Sequence, residues 1–120
     1  MHIGRNFTQV LHREPGGWDA VTCIYVLNVM MEVEKRKEVI KKVWDLADRV
    51  MVFAVRTEKI KGERCLDGVV TKRRTFQKRF SSQDIKAFLL STLVTAGCKN
   101  FKFQQFGGVC IIEKTEGIEK

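Results

Sequence analysis

The chain has few residues that interrupt secondary structure or cross-link a fold, with one proline and four cysteines among 120 residues. The cysteines (Cys23, Cys65, Cys98 and Cys110) lack the close spacing of paired metal ligands. This spacing argues against a zinc site and a disulfide framework, and we predict no metal. No apolar run is long enough to span a membrane and no signal-peptide pattern is present, so we expect a cytoplasmic protein with no membrane partner.

Acidic residues are outnumbered by basic ones, with 14 Asp and Glu against 22 Lys and Arg and a net charge of +8. The stretch from Arg56 to Arg79 holds nine basic and three acidic residues. Such a patch favours an anionic partner, and we expect DNA or another nucleic acid. The alternative is that these charges only keep an exposed hairpin soluble. The candidate nucleic-acid contacts are Arg56, Lys72, Arg73, Arg74, Thr75, Gln77, Lys78 and Arg79.

The first apolar segment runs from Trp18 to Met30 and predicts a strand that is covered on both faces in a parallel sheet. Asn28 is a polar residue near its far end and needs a hydrogen-bond partner if it is buried. Ligands bind beyond the carboxyl ends of strands in open parallel sheets, so we predict that Tyr25 and Asn28 line a pocket. The alternative is that Asn28 only turns the chain into the next helix.

The next segments predict a strand-helix-strand unit and a charged insertion. Residues 34–48 have apolar side chains at helical spacing, and residues 50–55 form a second apolar run of strand length. One helix between two such strands is typical of parallel pairing with a right-handed crossover. Residues 56–68 predict a mobile loop, followed by a hairpin with arms at 69–71 and 75–77.

A second helix is predicted from its caps. Ser81 and Asp84 have the spacing of a capping box, and Gly97 suits the left-handed position after the last turn. Residues 101–106 and 109–112 flank a Gly-Gly pair, which predicts a terminal hairpin.

These elements predict one α/β domain at residues 18–114, preceded by an extended entry segment at 1–17 and followed by a frayed tail at 115–120. The same element string also fits an unrelated ferredoxin-like α+β sheet with both helices on one face. Periodicity alone leaves both folds open.

The element order resembles the carboxyl half of a class I S-adenosylmethionine-dependent methyltransferase, whose last strands also form a hairpin. This resemblance implies a partial Rossmann-like methyltransferase sheet over about residues 18–113. Three strings more specifically resemble the methyltransferases that accompany DNA phosphorothioation systems, and they imply a cofactor and target pocket near Tyr25, Asn28 and Val29. The strings are Tyr25-Val26-Leu27-Asn28-Val29, Val52-Phe53-Ala54-Val55-Arg56 and Thr75-Phe76-Gln77-Lys78.

Two expected features of that family have no counterpart upstream of Trp18. The family holds its cofactor with a glycine-rich turn after the first strand and an acidic residue after the second, and glycine lets the backbone approach the ligand closely. The resemblance therefore implies S-adenosylmethionine binding only if another chain completes the pocket. We expect a homodimer, or a hetero-complex with a chain that supplies the missing amino-terminal half.

Two functions follow from the resemblance, and whether the chain is an enzyme stays open. The first is a truncated or split methyltransferase that is linked to DNA modification and inactive alone. In it, Asn28 would orient the target amine and Tyr25 would line the pocket. The second is a non-catalytic basic module on the same scaffold, which binds nucleic acid or a protein.

Overall fold

The structure is a computed structural model that describes residues 1–3 and 17–115. Most of the predicted entry segment (residues 4–16) and of the predicted tail (residues 116–120) lies outside the described residues. The elements are strands β1 (His2–Ile3), β2 (Trp18–Ile24), β3 (Ala47–Ala54), β4 (Glu63–Cys65), β5 (Gly68–Val70), β6 (Phe76–Gln77), β7 (Phe101–Phe106) and β8 (Val109–Lys114), helices α1 (Val33–Leu46) and α2 (Ser82–Thr95), and a 3-10 turn (Leu27–Val29).

The larger sheet has the strand order β1-β2-β3-β8-β7. Strands β1, β2 and β3 are parallel, whereas β8 is antiparallel to both β3 and β7. The predicted strand-helix-strand unit is confirmed, with α1 as the crossover between the neighbouring strands β2 and β3. The ferredoxin-like alternative is wrong, because a split βαβ unit has another strand between the two that its helix connects.

The hydrophobic core lies on one face of this sheet. Side chains from β2, β3 and β8 on that face are buried against both helices, and the helices contact each other. On the opposite face Thr22, Val52 and Ile111 are neighbours in register and are only half buried. The prediction that β2 is covered on both faces is therefore wrong for the described residues, because both helices pack on the same side. None of the described helices combines the length and hydropathy that crossing a membrane requires.

The prediction that the segment from Trp18 to Met30 forms a single strand is wrong. Strand β2 ends at Ile24 because Tyr25 has a positive φ of 57°, which turns the chain out of the extended conformation. The Tyr25 N–H still donates to the Ala54 carbonyl oxygen at 2.8 Å. Asn28 consequently lies in the 3-10 turn that follows β2, and not inside the strand.

The observed helix α1 and the observed caps of α2 agree closely with those predicted from the sequence. Helix α1 begins one residue earlier than predicted and ends two residues earlier. It ends at Leu46 because Ala47 is already extended and starts β3. The Ser81 hydroxyl accepts the Asp84 N–H at 3.0 Å and the Asp84 carboxylate accepts the Ser81 N–H at 3.4 Å, which confirms the capping box. Gly97 has a φ of +84° after α2, and β7 and β8 form the predicted hairpin.

Strands β4, β5 and β6 form a second, three-stranded antiparallel sheet. The predicted hairpin corresponds to β5 and β6, which are joined by a turn whose Thr71 and Thr75 hydroxyl oxygens lie 2.8 Å apart. The predicted mobile loop at 56–68 is partly wrong, because residues 63–65 form β4 and pair with β5. This pairing has no sequence signal, since β4 is short and carries no apolar run.

Candidate functional site

The second sheet is attached to the carboxyl ends of β2 and β3. The Lys78 N–H donates to the Asn28 carbonyl oxygen at 2.7 Å, and the Phe80 N–H donates to the Arg56 carbonyl oxygen at 2.9 Å. The segment that leaves β6 therefore crosses both strand ends. Parallel sheets bind ligands at this edge, so the second sheet and the strand ends together form the candidate site.

Asn28 is the central buried polar residue of this site, with 1% of its surface exposed. Its Nδ2 donates to Gln77 Oε1 at 3.1 Å, so two of the strings that carried the family resemblance meet here. Its Oδ1 has no hydrogen-bond partner among the described residues. A buried oxygen without a partner costs about 1–3 kcal/mol, so the site retains an acceptor that the fold does not use.

Tyr25 and Val29 flank Asn28 along the chain, but they lie at the surface. Tyr25 is 57% exposed and Val29 is 41% exposed, while Asn28 between them is buried. The predicted pocket-lining residues thus form an open wall with one buried amide. No described contact joins the Tyr25 and Asn28 side chains, and their predicted roles stay predictions.

A buried arginine fastens the second sheet to the start of α1. Arg36 is 1% exposed, and its guanidinium donates to both carboxylate oxygens of Asp67, at 2.6 and 2.9 Å. Its Nε donates to the Met30 carbonyl oxygen at 2.9 Å. The Phe76 and Phe80 ring centroids lie 5.9 and 5.8 Å from the guanidinium carbon. We call this arrangement of Arg36 with Asp67 the arginine clamp.

The arginine clamp also sets the protonation of Asp67. Hydrogen bonds from the Arg36 side chain lower the pKa of this carboxyl, against the opposing effect of its partial burial. Sequence reasoning missed Arg36, although a signal existed. Arg36 lies three and four residues before Val39 and Ile40, so it occupies the apolar stripe of the predicted helix.

The structure separates the predicted nucleic-acid contacts into several groups. Arg56 forms an ion pair with Glu58 at 3.2 Å, and the Lys78 ammonium lies 4.8 Å from the Phe80 ring centroid. Thr75 shares a hydrogen bond with Thr71 inside the β5–β6 turn. The same turn exposes Lys72, Arg73 and Arg74. These three cations form a surface that we call the turn cations.

The remaining predicted contacts, Gln77 and Arg79, line a cleft of about 190 Å³ beside the second sheet. Lys59 and Arg64 line the same cleft, together with Asp67. Sequence reasoning counted Lys59 and Arg64 in the basic excess but did not select them as contacts, because they lie within the stretch that predicted a mobile loop. Folding of β4 against β5 brings them to Gln77 and Arg79. We call this feature the basic cleft.

The described residues contain no group of three His, Cys, Asp or Glu side chains that could hold a metal ion. The four cysteines are free thiols. Burial raises the pKa of Cys23 to about 12 and that of Cys110 to about 11. Neither thiol is therefore suited to act as a nucleophile near neutral pH.

The fold is similar to that of two crystal structures of the magnesium protoporphyrin IX methyltransferase ChlM from Synechocystis PCC 6803. The structure with bound SAM has a TM-score of 0.51 and 17% sequence identity, and the match covers 88% of this chain and 42% of ChlM. The structure with bound SAH has a TM-score of 0.52 and 15% identity, with coverages of 88% and 48%.

No protein-family model and no curated protein sequence matches the chain. At 15–17% identity, the likeness to ChlM establishes the fold alone. The chain spans less than half the length of the ChlM chains that it matches. The predicted methyltransferase-like fold is confirmed at this level: the chain has the fold of part of an S-adenosylmethionine-dependent methyltransferase.

Proposed function

We propose that the chain is a truncated or split S-adenosylmethionine-dependent methyltransferase-like protein that is inactive alone and linked to DNA modification. Asn28 carries the proposal: it is buried at the carboxyl end of β2 and has an Oδ1 without a described partner. An amide oxygen there can accept an N–H from a target amine. Methyl transfer to an amine depends mainly on such positioning.

The described residues fit only one side of a cofactor site. Tyr25, Asn28 and Val29 would form the wall on the methionine and target side, and bound S-adenosylmethionine would supply the methyl group. Glycine lets a backbone approach a ligand closely, yet among the described residues no glycine directly follows β2 or β3. This chain's residues can therefore orient a ligand, and enclosing it requires further residues.

The sheet face that no described helix covers supports a second polypeptide as the source of those residues. Thr22, Val52 and Ile111 form a half-buried row across three strands, and Phe106 at the hairpin end is 67% exposed. Contiguous apolar surface that stays accessible to solvent is typical of interaction surfaces. We propose that a second chain covers this face, as a homodimer or as a hetero-complex with an amino-terminal half.

The experiment combines sedimentation with calorimetry on the full chain. Sedimentation across the micromolar range locates any self-association, and S-adenosylmethionine is then titrated into the chain below and above that concentration. We expect a saturable heat of S-adenosylmethionine binding only at concentrations where the chain is self-associated. We also expect Asn28→Asp to weaken binding without changing association, because an aspartate carboxylate cannot donate the hydrogen bond to Gln77 Oε1 that holds the Asn28 side chain in place. Asn100→Asp is the matched control, since Asn100 is exposed and lies on the connection to β7.

Each result bears on a separate part of the proposal. Saturable cofactor binding by the monomer would overturn the requirement for a second chain. Binding that survives Asn28→Asp unchanged would remove Asn28 from the site. A chain that associates but takes up no S-adenosylmethionine, with or without duplex DNA, would overturn a cofactor site built from copies of this chain.

The turn cations favour a second candidate function, a non-catalytic module that binds nucleic acid. Lys72, Arg73 and Arg74 are exposed and form no ion pair among the described residues. Phosphate contacts by such cations make binding fall steeply with salt. We expect Arg73→Glu with Arg74→Glu to weaken DNA binding and to flatten its salt dependence. Unchanged retention on DNA at low salt would contradict this function.

A further inference from the structure

The basic cleft differs from an ordinary basic surface because its cations converge on one concave space. Lys59, Arg64 and Arg79 line the same volume of about 190 Å³. Lys59 approaches from the loop after β3, Arg64 from β4 and Arg79 from the segment after β6. Three separate parts of the chain are therefore needed to bring this charge together.

The positive charge of the cleft is not neutralised within the described part of the chain. Asp67 is the one acidic side chain that lines it, and both of its oxygens accept hydrogen bonds from Arg36. Lys59 and Arg64 have no ion pair among residues 1–3 and 17–115. Like charges held together in a concavity attract an anion strongly.

Two of the donors are already oriented. Arg79 gives its Nε–H to the Thr57 carbonyl oxygen at 2.7 Å, which fixes the guanidinium and leaves its terminal nitrogens to bind a ligand. Gln77 accepts the Asn28 amide with its Oε1, so its Nε2 has no described partner while the residue lines the cleft. Planar guanidinium donors with an adjacent amide suit a tetrahedral oxyanion, and guanidinium binds phosphate with charge-assisted hydrogen bonds.

We propose that the basic cleft is a phosphate-binding site, in which Lys59, Arg64 and Arg79 hold a phosphodiester of a bound nucleic acid and Gln77 adds a hydrogen bond. This inference rests on the nucleic-acid function proposed for the turn cations and adds a built site to it. A free phosphate compound offers the same chemistry. Phosphate contacts carry no sequence information, so the proposed site would contribute affinity and register without reading sequence.

The test compares two double variants that remove the same charge. Lys59→Gln with Arg64→Gln removes two cations from the cleft, and Lys99→Gln with Lys102→Gln removes two exposed cations elsewhere. All four side chains are exposed, so both variants should fold, which circular dichroism checks. Labelled single-stranded and duplex oligonucleotides of mixed sequence are titrated at several salt concentrations. We expect the cleft variant to bind more weakly than the control and to reduce the slope of log affinity against log salt by about 1.

A second arm identifies the source of the phosphate. Inorganic phosphate is added to the 15N-labelled chain while the amide signals of Gly68 and Val69, which line the cleft, are followed. Shifts at these amides without oligonucleotide binding would overturn the nucleic-acid function and assign the cleft to a small phosphate compound. Oligonucleotide binding that both double variants weaken equally would overturn the cleft and leave the nucleic-acid function intact. If the chain shows neither amide shifts with inorganic phosphate nor oligonucleotide binding, both the phosphate site and the nucleic-acid function are overturned.

Discussion

The arginine clamp allows a specific prediction about stability. Asp67→Asn keeps the shape of the side chain but removes its charge, and the Arg36 guanidinium then stays buried without its counter-ion and with one of the two Asp67 acceptor oxygens lost. Removing one partner of a buried ion pair costs about 3–5 kcal/mol, because the other charge is left uncompensated. The Asp67 side chain is 36% exposed, so solvent can partly replace it, and we expect a loss of roughly 2–3 kcal/mol.

The assay is urea unfolding followed by circular dichroism, with Glu58→Gln as the control. The Arg56–Glu58 pair has side chains that are 35% and 70% exposed, and breaking it should cost about 0.5 kcal/mol or less. If Asp67→Asn should fail to fold, combining it with Arg36→Met removes the buried charge and should restore folding. Equal losses for Asp67→Asn and Glu58→Gln would refute the reasoning.

The same variant predicts a pH dependence. The pKa of Asp67 is lowered in the folded chain by its hydrogen bonds to Arg36. Its contribution to stability is therefore complete above the unfolded pKa, about 3.9, and is lost as the pH falls through the lower, folded pKa. The difference in unfolding free energy between the wild type and Asp67→Asn should shrink on acidification below about pH 4. A constant difference over that range would contradict the assignment.

Three further predictions concern the caps, the thiols and the second sheet. Ser81→Ala removes the α2 cap and should lower the unfolding free energy by about 1 kcal/mol in urea; no change would count against the capping box. Burial raises the pKa of Cys23 to about 12 and that of Cys110 to about 11. Both thiols should therefore react with Ellman's reagent more slowly than the half-buried Cys65. Equal reaction rates would show that the core opens to the reagent. Gly68→Ala would place a Cβ 2.5 Å from a backbone carbonyl oxygen of β6 and should cost about 1–3 kcal/mol in the same urea assay, whereas an unaltered midpoint would mean that β5 and β6 can separate.

The elements that local pattern predicted are those whose signals lie within a few residues of each other. The capping pair at Ser81 and Asp84, the apolar stripe of α1 and the Gly-Gly pair between β7 and β8 each specify a local backbone geometry. The adjacent parallel strands β2 and β3 followed from two apolar runs joined by one helix. These elements are enough to indicate the fold class.

Features that depend on distant contacts were not predictable in the same way. Strand β4 forms because it pairs with β5 and because Asp67, beside it, is held by Arg36 from α1. The end of β2 depends on Tyr25 adopting a left-handed conformation, which is uncommon for a residue with a Cβ and has no sequence signal. The basic cleft depends on the pairing of β4 with β5, so its cations could be counted in the sequence but not grouped.

The position of Gln77 connects the two proposed sites. Its Oε1 accepts the Asn28 amide at 3.1 Å, and the residue also lines the basic cleft. An anion that accepts a hydrogen bond from Gln77 Nε2 would polarise this amide and strengthen its bond to Asn28. Coupling between two sites is reciprocal by thermodynamic necessity. If both proposals hold, a phosphate in the cleft and an amine at Asn28 must therefore favour each other's binding, and the backbone of the target would help to orient the group that is modified.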